Sequence, residues 1–127
     1  MKKVTLNKNY FNELKKLMKY ASRTLTNVSV AAIIVTDKGI FKGVNYEDIV
    51  CSLSICAERN AIYNGITNGM SEIYEIHLIT SRNDLTMCGA CRQLASSFTT
   101  DKANVFVYHT KTGKCTKTPF KRLLPFE

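Results

Sequence analysis

The sequence predicts a three-layer α/β/α sandwich: one domain over residues 1–127, with helices on both faces of a mixed five-stranded sheet. Three observations predict it. Apolar residues recur at three-and-four spacing near the start, β-branched runs alternate with helical stretches after that, and glycine- or asparagine-containing turns separate the two kinds. No internal repeat, low-complexity tract or linker divides the chain.

Each element has its own signal. Phe11, Leu14, Leu17, Met18 and Ala21 fall on one helical face with lysines between them, which predicts a helix over 9–22 with Asn9 as its N-cap. Val28 to Thr36 is rich in β-branched residues and runs through Asp37-Lys38-Gly39 into Ile40 to Val44, the pattern of a β-hairpin. A loop follows from Asn45 to about Leu53. A second helix should begin near Ser54 and stop at Asn64-Gly65. Ile73 to Thr80 reads as a strand and Cys88 to Phe98 as a third helix. Val105 to His109 is the next strand, turned by Lys111 to Lys114 into a short fifth one at Thr116 to Thr118.

Composition narrows the functional classes. At 127 residues and 45% hydrophobic, the chain can bury a real core. Its longest purely apolar run, Val30 to Val35, is far too short to span a membrane, and no hydrophobic segment follows Lys2 and Lys3. A soluble cytoplasmic protein is the expectation. The formal charge of +8 comes from lysines dispersed along the chain, which read as a solvated surface rather than a nucleic-acid track. Five cysteines cannot all pair within one chain, and clustered intracellular cysteines point to metal or redox chemistry.

The clusters are Cys56-Ala57-Glu58 and Cys88-Gly89-Ala90-Cys91. Three thiols with a nearby carboxylate suit a catalytic zinc, which keeps three protein ligands and leaves the fourth position to water. Cys56, Cys88 and Cys91 are the candidate ligands and Glu58 the candidate proton shuttle. Both motifs are expected at helix starts, where partial positive charge favours thiolate. Cys88 and Cys91, three positions apart, share one side of a turn. Three thiolates on a divalent ion leave one net negative charge, and Arg59 is the candidate to offset it by donating to a ligand sulfur.

These words resemble the small, three-cysteine cytidine deaminases that act on free nucleosides. The likeness runs from about Val28 to Pro125 and rests on Asn45-Tyr46-Glu47, Cys56-Ala57-Glu58-Arg59, Cys88 to Gln93 and the Leu123-Leu124-Pro125 ending. It implies a cytidine deaminase-like fold, one zinc ion per subunit, and hydrolysis of cytidine or deoxycytidine to uridine or deoxyuridine plus ammonia in pyrimidine salvage. Asn45 and Glu47 would hold the ribose hydroxyls, and the backbone N–H of Ala57 would touch the base. Glu58 would take a proton from the attacking water, protonate N3 and help ammonia leave. A homotetramer with shared active sites is also implied, with no role for nucleic acid or membrane.

Three positions depart from the family pattern. Met87 stands where proline usually precedes the C-x-x-C, Asn27 stands where an aromatic residue usually packs near the base, and Phe126 is the one late aromatic able to reach a neighbouring subunit. Competing readings are weaker. A redox C-x-x-C explains neither Cys56-Ala57-Glu58 nor Asn45 and Glu47. A closed zinc module would need Cys51 or Cys115, neither of which is at paired spacing, so both read as small apolar residues. A deaminase of polynucleotides or of a modified cytosine nucleoside remains the main alternative. His77 and His109, inside and at the end of strands, read as structural, and Tyr46, Tyr63 and Phe98 as core or subunit contacts.

Overall fold

The computed structural model describes the backbone of residues 2–4, 8–83 and 86–124, with side chains described over 10–83 and 86–124. In chain order the elements are β1 (Lys2–Val4), α1 (Lys8–Met18), β2 (Val30–Thr36), β3 (Gly39–Val44), α2 (Ala57–Thr67), β4 (Ile73–Thr80), α3 (Gly89–Ser96), β5 (Thr99–Tyr108) and β6 (Cys115–Pro119). The sheet order is β1-β6-β5-β4-β2-β3. β4 and β5 are parallel, joined across α3, and every other pairing is antiparallel, so the sheet is mixed as expected. The five expected strands are all present, and the short β1 adds a sixth at the edge beside β6.

Two apolar layers sandwich the sheet. Ala31, Ile33 and Ile79 point to one face and pack with Leu14 of α1, Tyr108 and Cys115. Ala32, Ile34, Ile76 and Leu78 point to the other face, against Ala57, Ala61 and Ile62 of α2 and Cys91 and Ala95 of α3. The two-residue alternation along β2 and β4 feeds both layers, which is why these central strands read as continuous apolar runs.

Boundary differences have local causes. Helix α1 begins at Lys8, so Asn9 lies inside it rather than capping it, and it ends at Met18. Beyond it Ser22 donates its N–H to the Asn45 carbonyl at 2.9 Å, drawing the chain away from the helical path. β2 begins at Val30 because Asn27 takes a left-handed φ of 60° and turns the chain just before it. α2 starts at Ala57, not Ser54, because Tyr46 and Ile55 exchange two backbone hydrogen bonds (3.0 and 2.9 Å) that hold 54–55 extended. β5 starts six residues early, at Thr99, where a register break against β4 leaves exposed Asp101 and Lys102 outside the apolar pattern, and it stops at Tyr108, one short of His109. Pro125 and Phe126, invoked from the family likeness, lie outside the described residues.

Helix α2 seats directly on the edge strand β3. A Cβ on Gly43 would lie 2.5 Å from both the Ala57 carbonyl oxygen and the Ala61 nitrogen, so only glycine permits this approach. Asn60 Nδ2 donates to the Val44 carbonyl at 3.1 Å and Asn64 Nδ2 to the Lys42 carbonyl at 2.9 Å, so the helix also covers the strand's backbone.

His77 is buried on the α1 side. Its ring stacks between Tyr10 (centroids 4.0 Å apart, 14°) and Phe106 (4.6 Å, 7°). Nδ1 lies 2.7 Å from the Tyr108 hydroxyl and Nε2 2.8 Å from Glu75 Oε1. Burial lowers its pKa, against the opposing pull of Glu75. The neutral ring then donates Nε2–H to Glu75 and accepts the Tyr108 O–H at Nδ1. The structural reading of this histidine is the one the surroundings support.

Candidate active site

The start of α2 and the start of α3 meet at the thiols. Cys56 is the N-cap of α2 and Cys88 the N-cap of α3, both with extended backbone, and Cys91 sits in the first turn of α3. Cys56 Sγ lies 3.7 Å from Cys88 Sγ, and Cys88 Sγ lies 3.3 Å from Cys91 Sγ. All three sulfurs fall within 4.8 Å of one another. Tetrahedral ligation at about 2.3 Å per bond needs sulfurs about 3.8 Å apart. The cluster therefore fits one zinc ion with three protein ligands. Cys91 is fully buried, Cys56 half-buried and Cys88 exposed, so the group opens toward solvent on one side.

Without metal, the proton is shared unequally. Hydrogen bonding from Cys91, then from Arg59 and Cys88, holds the Cys56 thiol down at about 5 despite burial. Cys91 is pushed up, by its hydrogen bond to Cys56 and by burial. Arg59 Nη2 donates to Cys56 Sγ at 3.8 Å, so the guanidinium lies where charge compensation needs it. Its Nε is buried with no partner among the described residues, which leaves a second donor near the sulfurs.

Glu58 is 4% exposed, and burial, then the charge on Cys56, raises its pKa to about 7. It lies outside the sulfur cluster that could hold a metal. It lines a cleft of about 530 Å³ together with Cys56, Cys88, Ala57 and Arg59. Ala57 opens α2, and the first N–H groups of a helix have no intrahelical partner.

Asn45 and Glu47 line the same cleft and also perform structural work. Asn45 Oδ1 accepts from Val30 N at 2.8 Å, while its Nδ2 donates to the carbonyls of Val28 (2.9 Å) and Ser22 (3.4 Å), so this amide extends the ladder where β2 has not yet begun. The Glu47 carboxylate accepts from the N–H groups of Leu25 (3.0 Å) and Thr26 (3.1 Å) and from the Thr26 hydroxyl, which together hold its pKa down, the hydroxyl most. Every expected site residue except Cys91 lines this cleft, and the fully buried Cys91 adjoins it through Cys88.

Other expectations shift. Asn27 is exposed and does not line the cleft; Leu25, Val28 and Val30 form that wall instead. Met87 is buried at 2% exposure in the core under the thiols, filling the place expected of proline. Cys115 is buried, in keeping with its reading as a small apolar residue, whereas Cys51, read the same way, is exposed in a short 3₁₀ turn, Cys51–Leu53. Tyr46 and Tyr63 are each 46% exposed and belong to no core, whereas Phe98 packs against one. Sequence reasoning overlooked Thr26, Gly43, Asn60 and Arg82. Of these only Gly43 carried a local signal, a glycine inside a strand pattern.

Comparison with known proteins agrees with this geometry. Residues 4–107 match the family described as "Cytidine and deoxycytidylate deaminase zinc-binding region". The chain is similar to a cytidine deaminase of Mycoplasma pneumoniae, at 32% identity over 98 residues covering 75% of this chain and 74% of that protein. It is also similar to a blasticidin-S deaminase of Bacillus cereus, at 30% identity over 108 residues covering 77% and 75%. In structure it resembles cytidine deaminase from Burkholderia pseudomallei, with a TM-score of 0.82 at 25% identity over 96% of this chain and 98% of that one. The thiol cluster, the buried glutamate beside it and the sheet that holds them carry the same conclusion as these likenesses: the chain belongs to the cytidine and deoxycytidylate deaminase family.

Proposed function

We propose that this protein is a zinc-dependent hydrolase that deaminates cytidine or deoxycytidine, yielding uridine or deoxyuridine and ammonia. One observation carries the reading. Glu58, buried, lines the same cleft as Cys56 and Cys88, whose sulfurs, with that of the buried Cys91, have the spacing of a single tetrahedral ion. A zinc ion held by Cys56, Cys88 and Cys91 would supply Lewis acidity to a water.

The chain's own groups account for the rest. Burial favours the neutral form of the Glu58 carboxyl, so the group can hold a proton as well as release it. Glu58 takes one proton from the water and passes it to ring N3 of the base, then takes the second from the new hydroxyl on C4 and passes it to the leaving amine, so water and cytidine become uridine and ammonia. Arg59, donating to Cys56 Sγ, lowers the negative charge of the sulfur set. The Ala57 N–H meets the base. Asn45 and Glu47 bring the 45–47 segment to the sugar, with Glu47 using acceptor capacity left over from Leu25 and Thr26.

The reading extends to a cytoplasmic enzyme of pyrimidine salvage that assembles as a homotetramer with shared active sites. Five free thiols support a reducing compartment. Ile49 (87% exposed), Val50 and Leu53 form an apolar rim on the loop after Glu47 and support a subunit contact there. No described helix is long and apolar enough to cross a membrane.

The test is deamination of cytidine followed by ultraviolet absorbance, with a Glu58→Ala variant alongside. Turnover by the zinc-loaded protein that is lost in the variant is the expected result. Equal rates in both proteins, or full activity after zinc removal, would refute the reading.

A further inference from the structure

The three thiols are not held equally. Cys91 is fully buried in the core under α2 and α3, and Cys56 packs against that core. Cys88 is exposed, at the head of α3, with residues 81–87 between it and the end of β4. Its sulfur nonetheless sits 3.7 Å from that of Cys56 and 3.3 Å from that of Cys91. Packing alone does not fix an exposed side chain, so the backbone of Cys88 must be held.

One residue holds it on both sides. Arg92 N donates to the Cys88 carbonyl at 3.0 Å, the first helical bond of α3, and Arg92 Nε donates to the Met87 carbonyl at 2.8 Å. These carbonyls belong to the two peptide planes that meet at the Cys88 Cα. With both planes tied, Cys88 keeps the extended φ of −72° and ψ of 165° from which its sulfur reaches the other two. The buried Met87 side chain pins the preceding residue as well. The guanidinium is itself braced. Its Nη1 donates to the Leu123 carbonyl at 3.3 Å, and Leu123 N closes a turn on the carbonyl of the buried Phe120 at 2.8 Å. Arg92 is half-buried, which shelters these bonds from water. Both of its described side-chain bonds go to carbonyls, whereas Arg59 donates to a sulfur directly.

We infer that Arg92 is a positioning residue for the metal: it holds Cys88 where a zinc ion needs its third thiolate, and it couples that ligand to the turn at residues 120–123. The inference rests on the zinc site of the reading above and not on the identity of the substrate. A metal ligand must sit within about 0.2 Å of its place. Groups that orient such ligands are typically worth about ten- to a hundredfold in metal affinity.

The test is zinc affinity, measured by chelator competition on the zinc-loaded wild type, Arg92→Met and Arg92→Lys. Arg92→Met keeps a long side chain and removes its donors, so zinc should bind about ten- to a hundredfold more weakly. Arg92→Lys can still donate to one carbonyl and should recover part of the loss. Arg92→Met is then placed in Cys88→Ala and Cys56→Ala backgrounds, each with a chelator matched to its affinity. Acting through Cys88, it should change affinity by less than about twofold in the first background and keep most of its effect in the second. Wild-type zinc affinity in Arg92→Met would overturn the inference. So would an equal loss in both backgrounds, which is what a merely structural role predicts. Should Arg92→Met fail to fold, Arg92→Gln takes its place under the same criteria. Cytidine turnover with unaltered zinc affinity in Arg92→Met would sink this inference and leave the deaminase reading standing. The expected Arg92 effects in a protein that binds zinc but does not deaminate cytidine would do the reverse.

Discussion

Gly43→Ala tests whether the seat of α2 on β3 sets the geometry of the active site. The new methyl group would stand 2.5 Å from the Ala57 carbonyl oxygen and the Ala61 nitrogen, and 2.9 Å from Asn60 Cβ. Two of these three atoms are backbone, so no side-chain rotation relieves the clash. An ordinary contact is 3.4 Å or more, so the helix start must retreat by about 0.9 Å, the difference between 3.4 and 2.5. Overpacking of this kind costs about 1–3 kcal/mol, offset by about 0.5–1 kcal/mol for removing a flexible glycine from a strand. A net loss of up to about 2.5 kcal/mol follows, or a fall in Tm of up to about 10 °C. The functional effect should be larger than the loss of stability. Cys56, Glu58 and Arg59 ride on the displaced turn, metal sites tolerate about 0.2 Å, and a misplacement of about 1 Å can cost about a hundredfold in rate. Thermal unfolding, zinc per chain and the initial deamination rate are to be measured on the same preparation. Gly89→Ala is the control, because its methyl group would meet nothing within 4 Å in a helix where alanine is favoured, and stability should hold or rise. A Gly43→Ala protein with wild-type zinc content and rate would show that the close approach does not position the site.

Three further outcomes follow from individual groups. Cys91→Ser, at the fully buried thiol, should drop zinc well below one per chain and abolish the loss of Tm that a chelator causes in the wild type; a variant that still binds zinc fully would remove Cys91 from the ligand set. His77 has a pKa lowered from its ordinary 6.5, so it contributes stability above that pH that is lost as pH falls through the folded value. The urea midpoint of the wild type should therefore fall between pH 7.5 and 5.5 by more than that of His77→Gln, and parallel curves would contradict the neutral-ring assignment. Asp37, held at about 2 from 3.8 by hydrogen bonds from the backbone N–H groups of Ser71 and Glu72 and the Ser71 hydroxyl, contributes stability above pH 3.8 that disappears as pH falls toward 2. Asp37→Asn should flatten that part of the acid-unfolding curve, and an unchanged curve would count against these hydrogen bonds as the source of the stability.

The candidate site residues were legible because they are local words with a chemical meaning. Cys56 and Glu58 are two positions apart, Cys88 and Cys91 three, and each pair falls at a helix start whatever the rest of the fold does. The strands and helices were legible from apolar periodicity, with the misses confined to boundaries. Those boundaries are set by partners distant in the chain, such as the Tyr46–Ile55 exchange that delays α2 and the Asn45 carbonyl that draws Ser22 away from α1. The three-residue β1 has no periodicity to detect and exists only through its pairing with β6.

What the sequence could not convey was the division of labour along the binding wall. Asn45 and Glu47 looked like ligands for a sugar, yet their side chains also tie the 25–30 segment to the end of β3. That segment supplies Leu25, Val28 and Val30 to the cleft. Val44 is the residue to which Asn60 of α2 is bonded, and Asn45 follows it. The end of β3 therefore carries two connections at once, one to the helix bearing Cys56 and Glu58 and one to the wall formed by Leu25, Val28 and Val30. The cleft wall and the helix bearing Cys56 are registered to each other through a single strand end. A substitution at Asn45 should consequently disturb the wall's shape as well as any contact it makes, so a change in KM there measures both.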